Sequence, residues 1–252
     1  MHADLVFALE LADLADTITT ERFQADDLAV ETKPDLSPVT EADRAVEQVL
    51  RKRIGEERPG HSVVGEEFGA DQPRTARWIL DPIDGTKNYL RGLPVWATLI
   101  ALERDGRVEV GVVSAPALHR RWWAARGEGS YVDGRRIHVS RVADLGDAVL
   151  SYASLTSWEQ HGMGEEFLAL ARACWRTRGF GDFWSHMLVA EGAADLAVEP
   201  DVEVWDLAAP QVIVEEAGGR FTNLDGIPTP AGRSVVSSNG LLHDRALATL
   251  RP

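Results

Sequence analysis

Three acidic motifs set the chemistry open to this 252-residue chain: Gly65-Glu66-Glu67, the run Asp81-Pro82-Ile83-Asp84-Gly85-Thr86-Lys87-Asn88, and Trp205-Asp206. Each lies at one end of an apolar run, the place from which side chains of different elements can converge. Trp78-Ile79-Leu80 delivers Asp81 as a strand would; Pro82 has no N–H for a neighbouring strand, and Asp84-Gly85 is a turn pair that lets both aspartates face one side. Asp206 opens an apolar helical run. Hard oxygen donors gathered in this way suit magnesium, which takes carboxylates, waters and substrate phosphate in preference to nitrogen or sulfur. Singly, each motif has an ordinary explanation: a solvated Glu-Glu pair, an Asp-Gly turn, a helix-capping aspartate. Their occurrence together is what points to a site. The chain has neither a calcium-binding helix-loop pattern nor a glycine loop ending in Gly-Lys-Ser/Thr. An aspartyl-nucleophile signature, Asp-x-Asp, is missed by one residue, because Pro82 and Ile83 separate the two aspartates, so no phosphoaspartate is expected.

The elements that must position these residues read in two textures. Leu5, Ala8, Leu9, Ala12, Ala15 and Ile18 predict an amphipathic helix over 4–23, followed by a loop with Lys33, Pro34 and Pro38. Thr40 then caps a helix from Glu41 to Arg53, with Asp43 in its first turn. Short β-like runs follow at 62–64, 78–80, 95–103, 107–114, 121–125, 130–132 and 137–139, with Asp105-Gly106 and Asp133-Gly134 as hairpin signals, and an antiparallel meander fits them. After residue 150 the pattern alternates. Helices are expected near 157–174, 184–191 and 206–217 and at the end of the chain, with strands near 176–180, 195–198, 219–222 and 234–237. No repeat or flexible linker separates the halves, which meet near residue 145, so 1–252 is read as one domain with a metal-site half (about 1–145) and an α/β half (about 146–252).

Composition narrows the partners. A net charge of −14 argues against nucleic acid and anionic lipid, and an anionic substrate would then need bound divalent cations to neutralise it. No stretch approaches the roughly 18–20 apolar residues of a membrane span. Cys174 is the single cysteine, and the first residues are too acidic for a signal peptide, so a reducing cytoplasm is the expected location.

With Ser37-Pro-Val-Thr-Glu-Ala-Asp43, Gly65-Glu66-Glu67, Asp81 to Asn88, Trp205-Asp206 and Glu215-Glu-Ala-Gly-Gly219 in view, the chain resembles the inositol monophosphatase-like family of metal-dependent, lithium-sensitive phosphatases. The resemblance implies an α/β fold in five layers, an αβαβα sandwich, and a homodimer. It implies two or three Mg2+ per site, with Mn2+ as a substitute and Li+ as an inhibitor. By the same resemblance Glu66, Asp81, the Ile83 carbonyl and Thr86 would hold a first metal. Asp81, Asp84 and Asp206 would hold a second, and Glu66 and Asp43 would reach a third through waters. Thr86, oriented by Asp43, would help take a proton from the attacking water, with Glu66 beside them, and the N–H groups of Gly85 and Thr86 would bind phosphate. Lys33 falls where the family often carries a basic residue, but a solvated lysine is expected there.

The alcohol side of the substrate is a separate question. The resemblance places its wall at Arg178-Gly-Phe-Gly-Asp-Phe-Trp-Ser-His186 and Glu199, with Arg178, Asp182 and Glu199 as substrate-binding candidates. Inositol-specific members are small and polar after the arginine, whereas this chain has Asp182, Phe183 and Trp184. Two acids suit a cationic alcohol such as histidinol, and the segment, together with Trp96, looks like bacterial histidinol-phosphate phosphatases of the family. L-histidinol phosphate is therefore the expected small-molecule phosphomonoester. An inositol-1-phosphate or broader phosphatase is the alternative, and an idle phosphoester-binding regulator the alternative of a different class. Phe183 and Trp184 also read as core, Asp182 as a helix cap, and His186 as a packed or hydrogen-bonded histidine, since the oxygen donors already complete the metal site.

Overall fold

The structure, a computed structural model, describes residues 3–34 and 37–251. Helix α1 (Ala3–Arg22) buries Leu5, Ala8, Leu11, Ala12 and Ala15 along one stripe, the 3.6-residue period seen in the sequence. The loop expected next contains a small hairpin, β1 (Val30–Thr32) with β2 (Pro38–Thr40). Its strands are only three residues each, too short to leave an alternating signal. Helix α2 (Glu41–Glu57) starts where its cap predicts: the Thr40 hydroxyl accepts from the Ala42 and Asp43 N–H groups, and the Asp43 carboxylate accepts from the Thr40 N–H at 2.9 Å.

The first sheet has eight strands. After β3 (Ser62–Gly65) and β4 (Gly69–Ala70) comes β5 (Ala76–Asp84), which leads into a short helix α3 (Thr86–Leu90). The meander continues through β6 (Ala97–Arg104), β7 (Arg107–Ala115), β8 (Arg120–Ala125), β9 (Gly129–Val132) and β10 (Arg135–Arg136). The order is β10-β9-β8-β7-β6-β5-β3-β4, antiparallel except for the parallel pair β3–β5. Pro82 does not end the pairing, contrary to the expectation from its missing N–H. Instead β5 bulges: Asp81 pairs with Leu99 and Asp84 with Ala97, so Pro82 and Ile83 oppose Thr98 alone. The Thr98 hydroxyl donates to the Pro82 carbonyl at 2.7 Å, so a side chain satisfies an acceptor inside the bulge. The strand expected at 137–139 is not formed; the hairpin return is β10.

The second sheet has order β12-β11-β13-β15-β14. Its chain runs β11 (Val149–Tyr152), α4 (Leu155–Gln160), α5 (Gly164–Ala173), β12 (Arg176–Arg178), α6 (Asp182–Ala190), β13 (Leu196–Glu199), α7 (Val204–Glu216), β14 (Arg220–Thr222), β15 (Val235–Ser238) and α8 (His243–Leu250). The single helix expected over 157–174 is two, because Gly162 takes a φ of +70° and breaks it. Strand β11 went unread in the sequence. Helices α1 and α2 cover one face of the first sheet, while α6 and α7 lie between the sheets. Helices α4, α5 and α8 close the far face of the second sheet. The layers are therefore αβαβα. The central core runs from Ile79 and Leu99 of the first sheet, through Met187 and Val212, to Ala197 and Val235 of the second. Gly111 permits this contact, since a Cβ there would stand 2.6 Å from a Val212 methyl and 2.7 Å from the Ala209 carbonyl. Among the described residues no helix is long and apolar enough to cross a membrane.

Candidate active site

The bulge in β5 aims Asp81 and Asp84 at the first turn of α7, where Asp206 sits. Carboxylate oxygens of the three lie within 4.8 Å of one another. Asp206 is the third residue of its helix and accepts from the Glu203 N–H at 2.8 Å, which fixes the helix entry. Asp84 accepts from the Phe183 N–H at 2.6 Å, so the start of α6 is tied to the end of β5. Asp81 is almost fully buried, and its Oδ1 has no hydrogen-bond partner among the described residues. Burial, then the charges of Glu66, Asp84 and Asp206, push the Asp81 carboxyl well above its ordinary range. Burial, then the charges of Asp182 and Asp206, do the same to Asp84. Asp206 is pushed up to about 7 by burial and by Glu66, against the Glu203 N–H. Buried carboxylates that repel one another, one with an orphaned oxygen, lack a positive partner. An oxygen-only donor set of this kind fits a hard divalent cation, and Asp81, Asp84 and Asp206 are the residues that would hold it.

Asp43 and Thr86 come together, as the family resemblance implied. The Thr86 hydroxyl donates to the Ile83 carbonyl at 2.9 Å and stands 3.4 Å from Asp43 Oδ1, while Asp43 Oδ2 accepts from the Thr40 N–H and hydroxyl. Burial raises Asp43 to about 6, the Thr40 hydrogen bonds opposing it. Glu66 is not one of the three whose oxygens all lie within 4.8 Å, but its charge is the first that acts on Asp81. Its carboxylate accepts from the Lys33 ammonium at 2.7 Å, and Glu67 accepts from the same ammonium at 2.6 Å. Lys33 is thus half-buried and doubly paired, a correction to the solvated lysine expected. Burial alone would lower its pKa, but the hydrogen bonds to Glu66 and Glu67 outweigh burial and raise it.

Glu47, which sequence reasoning missed, organises the Glu66 loop. Fully buried on α2, it accepts from the N–H groups of Glu67 at 2.7 Å and Phe68 at 3.2 Å and from Arg51 at 2.7 Å. The available signal was the polar row Asp43, Glu47, Arg51 at four-residue spacing beside the apolar Val46 and Leu50. Gly65 is the counterpart: a Cβ there would lie 2.1 Å from Glu47 Oε1. Asn88 was also missed as a positioning group. It donates to the Val95 carbonyl at 2.8 Å and to Asp182 Oδ2 at 3.2 Å.

Two connected cavities complete the cleft. One of about 360 Å³ is lined by Glu66, Gly85, Thr86, Lys87 and Asn88. The other, about 170 Å³, is lined by Asp84, Phe183, His186, Glu199, Val202 and Leu207. Asp182 and Asp206 line both, so they mark the junction. Burial, then Asp182 and Asp206, hold Glu199 well above its ordinary range, and burial raises Asp182 against the pull of Lys87. Phe183 is core, as its aromatic character suggested, while its backbone serves Asp84. Arg178 does not join them. It is exposed on the edge strand β12, its guanidinium turned back to the Thr177 carbonyl, and it lines neither cavity.

Comparison with known proteins fits this geometry. Residues 2–252 match the inositol monophosphatase family. The chain belongs to that family. Inositol monophosphatase family members are metal-dependent, in keeping with the unpartnered carboxylates of this cleft. A histidinol-phosphatase of Mycobacterium tuberculosis is 58% identical over 255 residues, covering 99% of this chain and 98% of its own. Another from Streptomyces coelicolor is 52% identical, over 98% of this chain and 96% of its own. Among solved structures, an IMPase of Thermotoga maritima superposes with a TM-score of 0.89 at 31% identity, over 99% of this chain and 97% of its own. An inositol monophosphatase from Zymomonas mobilis gives 0.89 at 32% identity, over 99% of both chains.

Proposed function

We propose that this chain hydrolyses L-histidinol phosphate to L-histidinol and phosphate, a step of histidine biosynthesis. The observation that carries it is the small cavity bounded by Asp182 and Glu199 directly beside Asp84 and Asp206. Burial raises both acids, no Lys or Arg among the described residues lines that cavity with them, and the pull of Lys87 reaches only Asp182; an alcohol bearing an ammonium group supplies a cation to both. A neutral polyol would supply no such cation to either acid. The likeness to histidinol-phosphatases at 58% and 52% identity supports the same choice.

Asp81, Asp84 and Asp206, with Glu66 and the Ile83 carbonyl nearby, are the proposed ligands of Mg2+, two or three per site. Bound there, magnesium supplies Lewis acidity to the phosphoryl oxygens, a nucleophilic water near neutral pH and neutralisation of the leaving oxygen. The protein's part is orientation and proton movement. Thr86 directs its hydroxyl proton to Ile83 and Asp43, which leaves its oxygen lone pairs to accept from an attacking water. Asp43, raised to about 6, is poised to receive the proton that passes through Thr86. Gly85 and Thr86 line the larger cavity, where phosphate would sit against their N–H groups. Mn2+ as a substitute, inhibition by Li+, a homodimer and a cytoplasmic location are proposed from the family likeness.

The test is a phosphate-release panel with Mg2+. Histidinol phosphate should be turned over much faster than inositol 1-phosphate, fructose 1,6-bisphosphate or adenosine 3′,5′-bisphosphate. Equal rates, or preference for a neutral alcohol, would overturn the substrate.

A further inference from the structure

His186 lies on α6 in the wall of the smaller cavity, 2% exposed. Its Nε2 is 3.7 Å from Glu199 Oε1, its ring is tilted against Phe221 at 5.5 Å, and its Nδ1 has no hydrogen-bond partner among the described residues. Burial keeps the ring neutral, lowering its pKa to about 4, so one nitrogen carries the single proton. Glu199 decides which. Burial and the charges of Asp182 and Asp206 favour the protonated acid, but a bound substrate ammonium would hold Glu199 as a carboxylate. Against that acceptor an unprotonated Nε2 would set two lone pairs against each other, whereas an Nε2–H aims a donor at it. Phe221, whose ring centroid is 5.5 Å away, offers no competing acceptor. The present 3.7 Å is too long for a hydrogen bond, and less than an ångström of movement closes it.

We propose that His186 is a positioning residue for the alcohol side of the substrate: as the Nε2–H tautomer it holds the Glu199 carboxylate in the orientation that receives a substrate ammonium. This rests on an amino-alcohol phosphate being the substrate. His186 does not touch the reacting phosphate, so its contribution falls on selection of the amine. That tautomer leaves Nδ1 as a buried acceptor with no hydrogen-bond partner among the described residues, a desolvation cost that an apolar residue at this position would not carry.

The experiment compares Mg2+-loaded wild type, H186L, H186Q and H186N on histidinol phosphate and on its analogue with the amine replaced by hydrogen. Gln carries its amide N–H to the reach of Nε2, and Asn only to the reach of Nδ1. H186L should raise KM for the amine substrate about tenfold, the scale of one hydrogen bond to a charged group, with kcat and both constants for the deaminated analogue within about twofold. H186Q should recover most of the amine preference, and H186N should not. Equal KM increases on both substrates, or full amine preference in H186L, would overturn the role of His186 alone. Absence of amine preference in wild type would overturn the substrate assignment and this role with it. Should H186L fail to fold, the pair H186Q and H186N decides: equal amine preference in the two refutes the proposal.

Discussion

Replacing Asp84 by asparagine should stabilise the metal-free protein and disable the enzyme. Asp84, Asp81 and Asp206 bring carboxylate oxygens within 4.8 Å of one another. At an effective dielectric of about 20, two unit charges at that distance repel by about 3.5 kcal/mol. Protons retained by the cluster, of which Asp206 is raised to about 7, shield part of this and leave relief of about 2 kcal/mol. The amide oxygen of asparagine can still accept from the Phe183 N–H, so the start of α6 stays attached. For a chain of this size that relief is a rise in melting temperature of roughly 4–8 °C in chelator. Magnesium should reverse the order. Wild type gains about 2.7 kcal/mol at a hundredfold excess over its Kd, whereas the variant, short of one charged ligand, gains far less. Loss of about 4 kcal/mol of Lewis-acid stabilisation in the transition state corresponds to roughly 10³ in kcat. Thermal melts in chelator and in Mg2+, with phosphate release on histidinol phosphate, check both halves. A variant within tenfold of wild-type kcat, or one whose melting responds to Mg2+ as wild type does, would refute the ligand assignment.

Two further outcomes follow from the same carboxylates and their support. Asp206 is raised to about 7, and Asp43 and Glu67 to about 6, so between pH 4 and 7 the folded metal-free protein binds more protons than the unfolded chain. Stability in chelator should therefore fall as pH rises through that window, and saturating Mg2+, which binds the ionised acids, should flatten the fall. Melting temperatures that climb with pH in chelator would contradict this. In Gly65→Ala, a Cβ 2.1 Å from Glu47 Oε1 forces that carboxylate away from the Glu67 and Phe68 N–H groups. A loss of about 2–4 kcal/mol and weaker Mg2+ binding are expected, read by urea unfolding and Mg2+ titration. An unchanged unfolding midpoint would show that the crowding is absorbed elsewhere.

Much of the site was legible because its donors sit at element ends with strong local signals. Thr40 and Asp43 form a capping box four residues long, and the run from Asp81 to Asn88 combines an apolar strand with a turn. Helix periods were also readable, since α1 and α2 each bury one stripe. What stayed hidden depends on partners far away in the chain. Nothing near Lys33 announces that Glu66 and Glu67 will reach it, and Pro82 reads locally as a strand breaker because its rescue by Thr98 comes from the next strand. Arg178 was expected in the cleft from the family resemblance, but here it sits exposed on an edge strand and lines neither cavity. Strand β11, buried by parallel neighbours on both sides, has too few residues to show a period of its own.

The hydrogen bond from Phe183 to Asp84 joins residues 99 apart in the chain. Together with Asp206 it makes one wall of the cleft from residues 43–86 and the opposite wall from residues 182–206. During synthesis the first wall is finished long before the second exists. A nascent chain ending near residue 180 already carries the β5 acids but has nothing to set against them. The candidate site is therefore assembled only when α6 and α7 dock against the end of β5, after residues 182–206 have been made.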